Sequence, residues 1–146
     1  MSSVQIIELS EQHLAYICEL IATLPDVTLR DEETIPNLQR ALNMNPGLSS
    51  VAILNDSIVG AVFLGEDGYR AMLHHLFVTQ ENRRKGIARD LIDRSLRELK
   101  ERTPVRRCFA RVYHSNSDGN NCMAKCGFRK SSGDGGVINA YTIDLS

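Results

Sequence analysis

A chain of 146 residues, 42% hydrophobic and 24% charged, holds enough material for one domain with its own core. Seventeen lysines and arginines against 18 aspartates and glutamates leave a net charge of −1, which excludes nucleic-acid or membrane binding driven by bulk charge. No apolar run approaches the roughly 18 residues of a membrane span, and Met1-Ser2-Ser3-Val4 lacks the basic-then-apolar pattern of a signal peptide, so a cytoplasmic protein is expected.

Val4 to Leu9 is short, apolar and β-rich and reads as a strand. Ser10 can cap a helix running to about Leu24, with Leu14, Ile17, Cys18 and Ile21 at helical spacing and Pro25 as the stop. Asp26 to Glu33 is acidic and irregular. A second helix then carries Ile35, Leu38 and Leu42 on one face and ends at Asn45-Pro46-Gly47. Ser50 to Leu54 and Ile58 to Leu64 flank the hairpin signal Asn55-Asp56-Ser57. Arg70 to Val78 is the next strand, with His74 and His75 inside it.

Ile87 to Arg102 is the clearest helix, its stripe formed by Ile87, Leu91, Ile92, Leu96 and Leu99. Arg107 to Tyr113 reads as a strand and Asn116 to Cys126 as a short helix stopped by Gly127. A strand from Phe128, a turn at Gly133 to Gly136 and a closing strand through Ile143 complete the order. The order gives a mixed α/β sheet with helices on its faces, and such sheets bind ligands beyond strand ends.

Cysteines stand at 18, 108, 122 and 126. Cys122 and Cys126 would share a helix face, but no further pair with ligand spacing completes a four-ligand site. Neither a metal nor a structural disulfide is expected.

The segment Val78-Thr79-Gln80-Glu81-Asn82-Arg83-Arg84-Lys85-Gly86-Ile87-Ala88 links a strand end to a strong helix through three basic residues and a glycine. A helix N-terminus offers unpaired N–H groups and the positive end of its dipole, an anion site suited to a pyrophosphate. The glycine pattern of a nucleotide P-loop or a dinucleotide fingerprint is missing, and the alternative is a solvated basic turn.

Leu76 to Leu91 resembles the coenzyme A signature of the GNAT superfamily of N-acetyltransferases, with Arg83, Gly86 and Ala88 in its fixed places. A second signature of that family, an Asn followed eleven residues later by Gly-Phe, is matched by Asn116 and Gly127-Phe128. The resemblance covers the whole chain and implies one domain over residues 1–146, a central, mostly antiparallel sheet flanked by helices. It also implies acetyl-CoA as co-substrate, with no metal, and an amine as acceptor, either a small molecule or a protein amino group. A homodimer would be ordinary for such a chain, though no exposed apolar stripe argues for one.

By the same resemblance, Arg84, Lys85, Gly86, Ile87 and Ala88 hold the pyrophosphate through backbone amides, with Arg83 assisting. Leu76, Phe77 and Val78 line the pantetheine arm and offer an N–H to the thioester carbonyl. Asn116 contacts the arm, and Phe128 belongs to the core. The family often places a base on the preceding strand an even number of residues before the valine, which selects His74. On a regular strand His75 then faces the other way; a bulge would swap these faces.

An alkyl amine with a pKa near 10.4 is well under about 1% neutral at pH 7, so a base is useful. The family's general acid, a Tyr seven residues after the Asn, is Met123 here, which cannot donate a proton. Tyr113, His114, Ser115, Ser117 and Cys122 are the nearby donors. A thiol near pKa 8.5 leaves unaided at a cost of roughly 2 kcal/mol, so no essential acid is expected. A covalent route through Cys122 is disfavoured because nothing in the sequence activates that thiol. The absent Tyr keeps a second reading open, a coenzyme A-binding or sensing module without catalysis. The acidic stretch with Asp26, Asp31, Glu32 and Glu33 is either a cation-attracting acceptor wall or a solvated loop.

Overall fold

The computed structural model describes residues 3–25, 27–131 and 138–146. Asp26 and the turn expected at Gly133 to Gly136 lie outside them.

Asn55 and Asp56 both adopt positive φ, 52° and 65°, which gives the two-residue turn whose twist suits a hairpin. It joins strand β2 (Ser50–Leu54) to β3 (Ser57–Glu66), with Leu54 opposite Ser57. β1 (Gln5–Glu8) pairs with β2, and β4 (Ala71–Val78) pairs with β3, all antiparallel. β5 (Arg107–Tyr113), β6 (Arg129–Lys130) and β7 (Ile138–Asp144) complete a seven-stranded sheet in the order β1-β2-β3-β4-β5-β7-β6. Among the described residues only β4 and β5 run parallel, and they are joined by a helical crossover, as a parallel pair requires.

Helices α1 (Leu14–Ala22) and α2 (Ile35–Met44) cover one face of the sheet, burying Leu14, Ile17 and Leu38 with Val51, Ala61, Phe63 and Phe77. A 3-10 turn at Glu11–His13 precedes α1, and the Ser10 N–H donates to His13 Nδ1 at 3.0 Å, so the regular helix begins later than the Ser10 cap suggests. Helices α3 (Ile87–Arg102) and α4 (Ser117–Lys125) take the opposite face, where Leu91, Ile92 and Leu99 pack with Val62, Leu64 and Val78. The expected α3 stripe is buried, and Ser95 joins it, its hydroxyl 2.7 Å from Ser50 Oγ beneath the helix. Arg94 reaches the same place, donating to the Gly47 and Ser49 carbonyls at 3.2 and 3.1 Å and to Ser50 Oγ at 3.0 Å. These bonds fix α3, and therefore its N-terminus, against the sheet.

One irregularity shapes the centre of the molecule. Between the pairs Ala61–Phe77 and Phe63–His74, β3 advances two residues while β4 advances three. The extra residue is taken up at His75, whose φ of 50° lies in the left-handed region. This is a β-bulge, and it bends and twists the strand that carries it. On a straight strand His74 would share the face of Val78. The bulge breaks that parity, placing His74 opposite Phe63 on the face covered by α1 and α2. The expected opposition of His74 and His75 is thereby overturned.

Candidate active site

β4 stays with β3 through its bulge, whereas β5 stays with β7 as far as Tyr113. The parallel pairing of β4 and β5 is therefore limited to Ala71–Cys108, Met72–Phe109 and Leu73–Ala110. Beyond it the two strands no longer pair, and Leu76, Phe77 and Val78 line a cleft there.

One half of the cleft is a cavity of about 620 Å3, lined by Leu76 to Val78, by Arg83, Arg84 and Gly86 of the loop but not Lys85, and by the start of α3. Gly86 is the N-cap of α3 at φ 83°, and among the described residues no side chain caps the helix there. The Gly86 carbonyl accepts the Asp90 N–H at 3.0 Å, so the amides before Asp90 form the open N-terminal turn. A Cβ added at Gly86 would meet nothing within 4 Å, so the space in front of the loop is free. Arg84 also has a left-handed φ, 64°, so the backbone reverses twice within three residues, and its side chain lines the cavity. The residues fit a pyrophosphate: open amides, a positive dipole end and basic side chains converge on one space.

Other loop side chains act as braces. Arg83 donates through Nε to the Val78 carbonyl at 2.9 Å and lies 4.0 Å from Asp118, tying the end of β4 towards α4. Asn82, invisible as a site residue in the sequence, is buried and donates to Thr79 Oγ1 at 2.9 Å, with Lys85 Nζ at 3.5 Å from its carbonyl oxygen. Asn116 caps α4 by accepting the Gly119 N–H at 2.9 Å. That commits its Oδ1 and leaves the amide nitrogen as the group it can offer to the cleft, which it lines.

The other half is a cavity of about 600 Å3 between the bulge, the segment before α2 and the end of β5. Both His74 and His75 line it. His74 is accessible within the cleft, yet surrounding protein displaces water from its charged form and lowers its pKa below the ordinary value. His75 lowers it further and Glu33 opposes the shift. His75 pairs through Nε2 with the Glu33 carboxylate and packs edge-on against Phe63, ring centroids 5.8 Å apart. Glu32 and Glu33 reach this cavity together with Arg30 and Arg111, so the acidic stretch is in part a cleft wall and not only a solvated loop.

Met123, at the place where the family has its acid, is buried and reaches the same cavity with an apolar surface. Among the five nearby donors, Tyr113 lines the histidine cavity and Cys122 the loop cavity, while His114, Ser115 and Ser117 line neither. Phe128 belongs to the core as expected. Its N–H bonds the Met123 carbonyl at 3.0 Å and that of Gly127, at φ 90°, bonds Ala124, closing α4 in a Schellman turn. Among the described residues no group of three His, Cys, Asp or Glu side chains is placed to hold a metal, and no helix is long and apolar enough to cross a membrane.

Residues 14–128 match the model of the acetyltransferase (GNAT) family. The chain belongs to that family. A 63-residue stretch is 41% identical to an acetyltransferase of Pectobacterium atrosepticum and 40% identical to one of Yersinia pseudotuberculosis. In each case it covers 43% of this chain and 45% of the relative, so the match spans under half the length of those proteins. The GNAT fold itself extends over the whole chain. A GNAT acetyltransferase structure from Staphylococcus aureus superposes with a TM-score of 0.85 at 19% identity, covering 99% of this chain and 100% of the other. The PaiA N-acetyltransferase of Thermoplasma acidophilum, solved with coenzyme A, gives 0.80 at 19% identity, over 98% and 99%.

Proposed function

We propose that this GNAT chain transfers the acetyl group of acetyl-CoA to a primary amine, directly, with both substrates bound. The observation that carries the proposal is that the two cavities meet. Leu76, Asn116 and Gly119 line both, so a thioester held by the loop at one end reaches the histidines at the other. Acetyl-CoA supplies the activated acyl group; the rest is done by side chains and backbone of the protein.

The amides from Arg84 to Ala88 hold the pyrophosphate at the start of α3, and Arg83 stabilises the loop from behind. The segment Leu76 to Val78 lies along the pantetheine arm with the Asn116 amide, and a backbone N–H there stabilises the charge developing on the carbonyl oxygen. His74 takes the amine proton. Its lowered pKa keeps it neutral at pH 7, as a base must be. The amine enters the histidine cavity beside Tyr113, where Glu32 and Glu33 stand with Arg30 and Arg111.

The second reading, a coenzyme A sensor, draws support from Met123, an apolar group where the family carries its acid. Titration calorimetry with acetyl-CoA, followed by free-thiol release with a panel of primary amines, separates the two. Amine-dependent release supports the transferase. Binding with no release across small amines and peptide N-termini supports the sensor, and no binding rejects both.

A further inference from the structure

Cys122 and Cys126 lie on one side of α4 with their sulfur atoms 4.0 Å apart, and Cys122 faces the cofactor cavity while both remain half-buried. The two sulfurs differ in place, since Cys122 lines the cavity and Cys126 does not. The contact with Cys126 Sγ, helped by Lys125 and Arg89 against burial and Asp93, lowers the Cys122 pKa. Cys126 is shifted the other way, by its bond to Cys122 and by burial, and stays a thiol. The other two cysteines are poor nucleophiles: burial raises the pKa of Cys18 and pushes that of Cys108 up to about 12. The activation that the sequence did not reveal for Cys122 comes from its neighbour one turn on.

We propose that Cys122 and Cys126 form a thiol–disulfide exchange site on the wall of the cofactor cavity, with a small-molecule disulfide as its substrate. The Cys122 thiolate attacks one sulfur of the disulfide RSSR, forming a Cys122–S–SR bond and expelling RS−, which takes up a proton. The Cys126 thiol then loses its proton and attacks Cys122 Sγ, releasing the second RS−. Two protein thiols are oxidised to one disulfide and one small disulfide is reduced to two thiols.

The backbone allows the second step. Residues four apart on a helix have Cα atoms about 6 Å apart, within the span a disulfide bridges, although the Cβ atoms must approach by roughly 1–2 Å. Cys126 is the C-cap of α4, at φ −84° and ψ 2°, so the adjustment falls on the last turn and its Schellman closure, not on a helix interior. Asn121, Cys122 and Lys125 of that turn line the cofactor cavity, so closing the bond changes its wall. This consequence, unlike the exchange itself, rests on the acetyl-CoA reading of the site.

The test uses the full chain, reduced and then exposed to hydroxyethyl disulfide at pH 7, followed by intact mass and tryptic mapping. Lys125 separates the two cysteines into peptides 112–125 and 126–129, so the internal disulfide is read as a cross-linked pair. The expected product is two hydrogens lighter and carries that cross-link. Cys122 should react faster than Cys18 or Cys108, whose thiols burial disfavours as thiolates. C126S should stop at the mixed disulfide on Cys122, and C122S should form no internal cross-link. Equal reaction across the cysteines, or a wild-type adduct that never closes, would overturn the exchange site. The wild-type map needs no variant to fold.

Oxidised protein should bind coenzyme A at least roughly fivefold more weakly than reduced protein, the lower end of ordinary coupling. Unchanged affinity would overturn the effect on the cavity. Failure of reduced protein to bind coenzyme A would reject the cofactor reading, while the presence or absence of the cross-link would still decide the exchange chemistry.

Discussion

His75 Nε2 is paired with the carboxylate of Glu33, joining the left-handed residue of the β4 bulge to the segment that precedes α2. The pair draws two distant parts of the chain together across the histidine cavity. It also sets the field in which His74 titrates, because His75 and Glu33 act on that ring with opposite signs.

The two partners should therefore move the pH profile in opposite directions. Glu33 raises the His74 pKa, so Glu33→Gln lets it fall further and extends activity to lower pH. His75 lowers it, so His75→Phe, which keeps a ring against Phe63, moves the acid limb of kcat/KM to higher pH. NMR titration of the His74 ring gives the same comparison without turnover. Limbs that coincide for wild type and both variants would remove His74 as the group being titrated.

His74→Ala should lower kcat by roughly 10²- to 10⁴-fold near neutral pH, the usual worth of a positioned base, with coenzyme A affinity little changed. The deficit should shrink at high pH, where more of the amine is already neutral. A loss confined to KM would assign His74 to amine binding instead.

Two glycines separate phosphate binding from packing. At Gly86 a Cβ has room but φ is 83°, so Gly86→Ala should cost about 1–2 kcal/mol through backbone strain alone. Gly86→Glu should abolish coenzyme A binding as well, by placing a negative charge where the anion sits. At Gly60 a Cβ would lie 2.9 Å from the Phe77 carbonyl oxygen and 3.2 Å from Leu91, so Gly60→Ala should cost about 1–3 kcal/mol by overpacking. Urea unfolding and calorimetry on the three variants check the distinction; full coenzyme A affinity in Gly86→Glu would refute the phosphate loop.

The Ser50–Ser95 bond beneath α3 should be asymmetric in its cost. Ser95→Ala leaves Ser50 Oγ with its bond from Arg94 and should cost about 1 kcal/mol, a single buried hydrogen bond. Ser50→Ala orphans the Ser95 hydroxyl and removes one acceptor of the Arg94 guanidinium, and should cost about 2–3 kcal/mol. Equal unfolding free energies for the two variants would mean that Arg94 does not share the site.

The loop between β4 and α3 was readable from the chain because its physics is local. A strand end, a glycine able to take positive φ and a helix start are each set by neighbours a few residues away. The α3 stripe and the Gly127 stop follow for the same reason. The order of strands and helices, and with it the mixed sheet, came from periodicity and turn residues. What the chain did not disclose was decided across distance. A bulge arises where two strands accommodate each other, so no pattern within Ala71 to Val78 announced that His75 would turn left-handed and carry His74 to the other face. The partnership of Glu33 with His75 and the burial of Asn82 under its loop depend on through-space distances that spacing does not encode. Local propensity fixed where the open N-terminus of α3 lies; packing fixed which side chains meet in the cleft beside it.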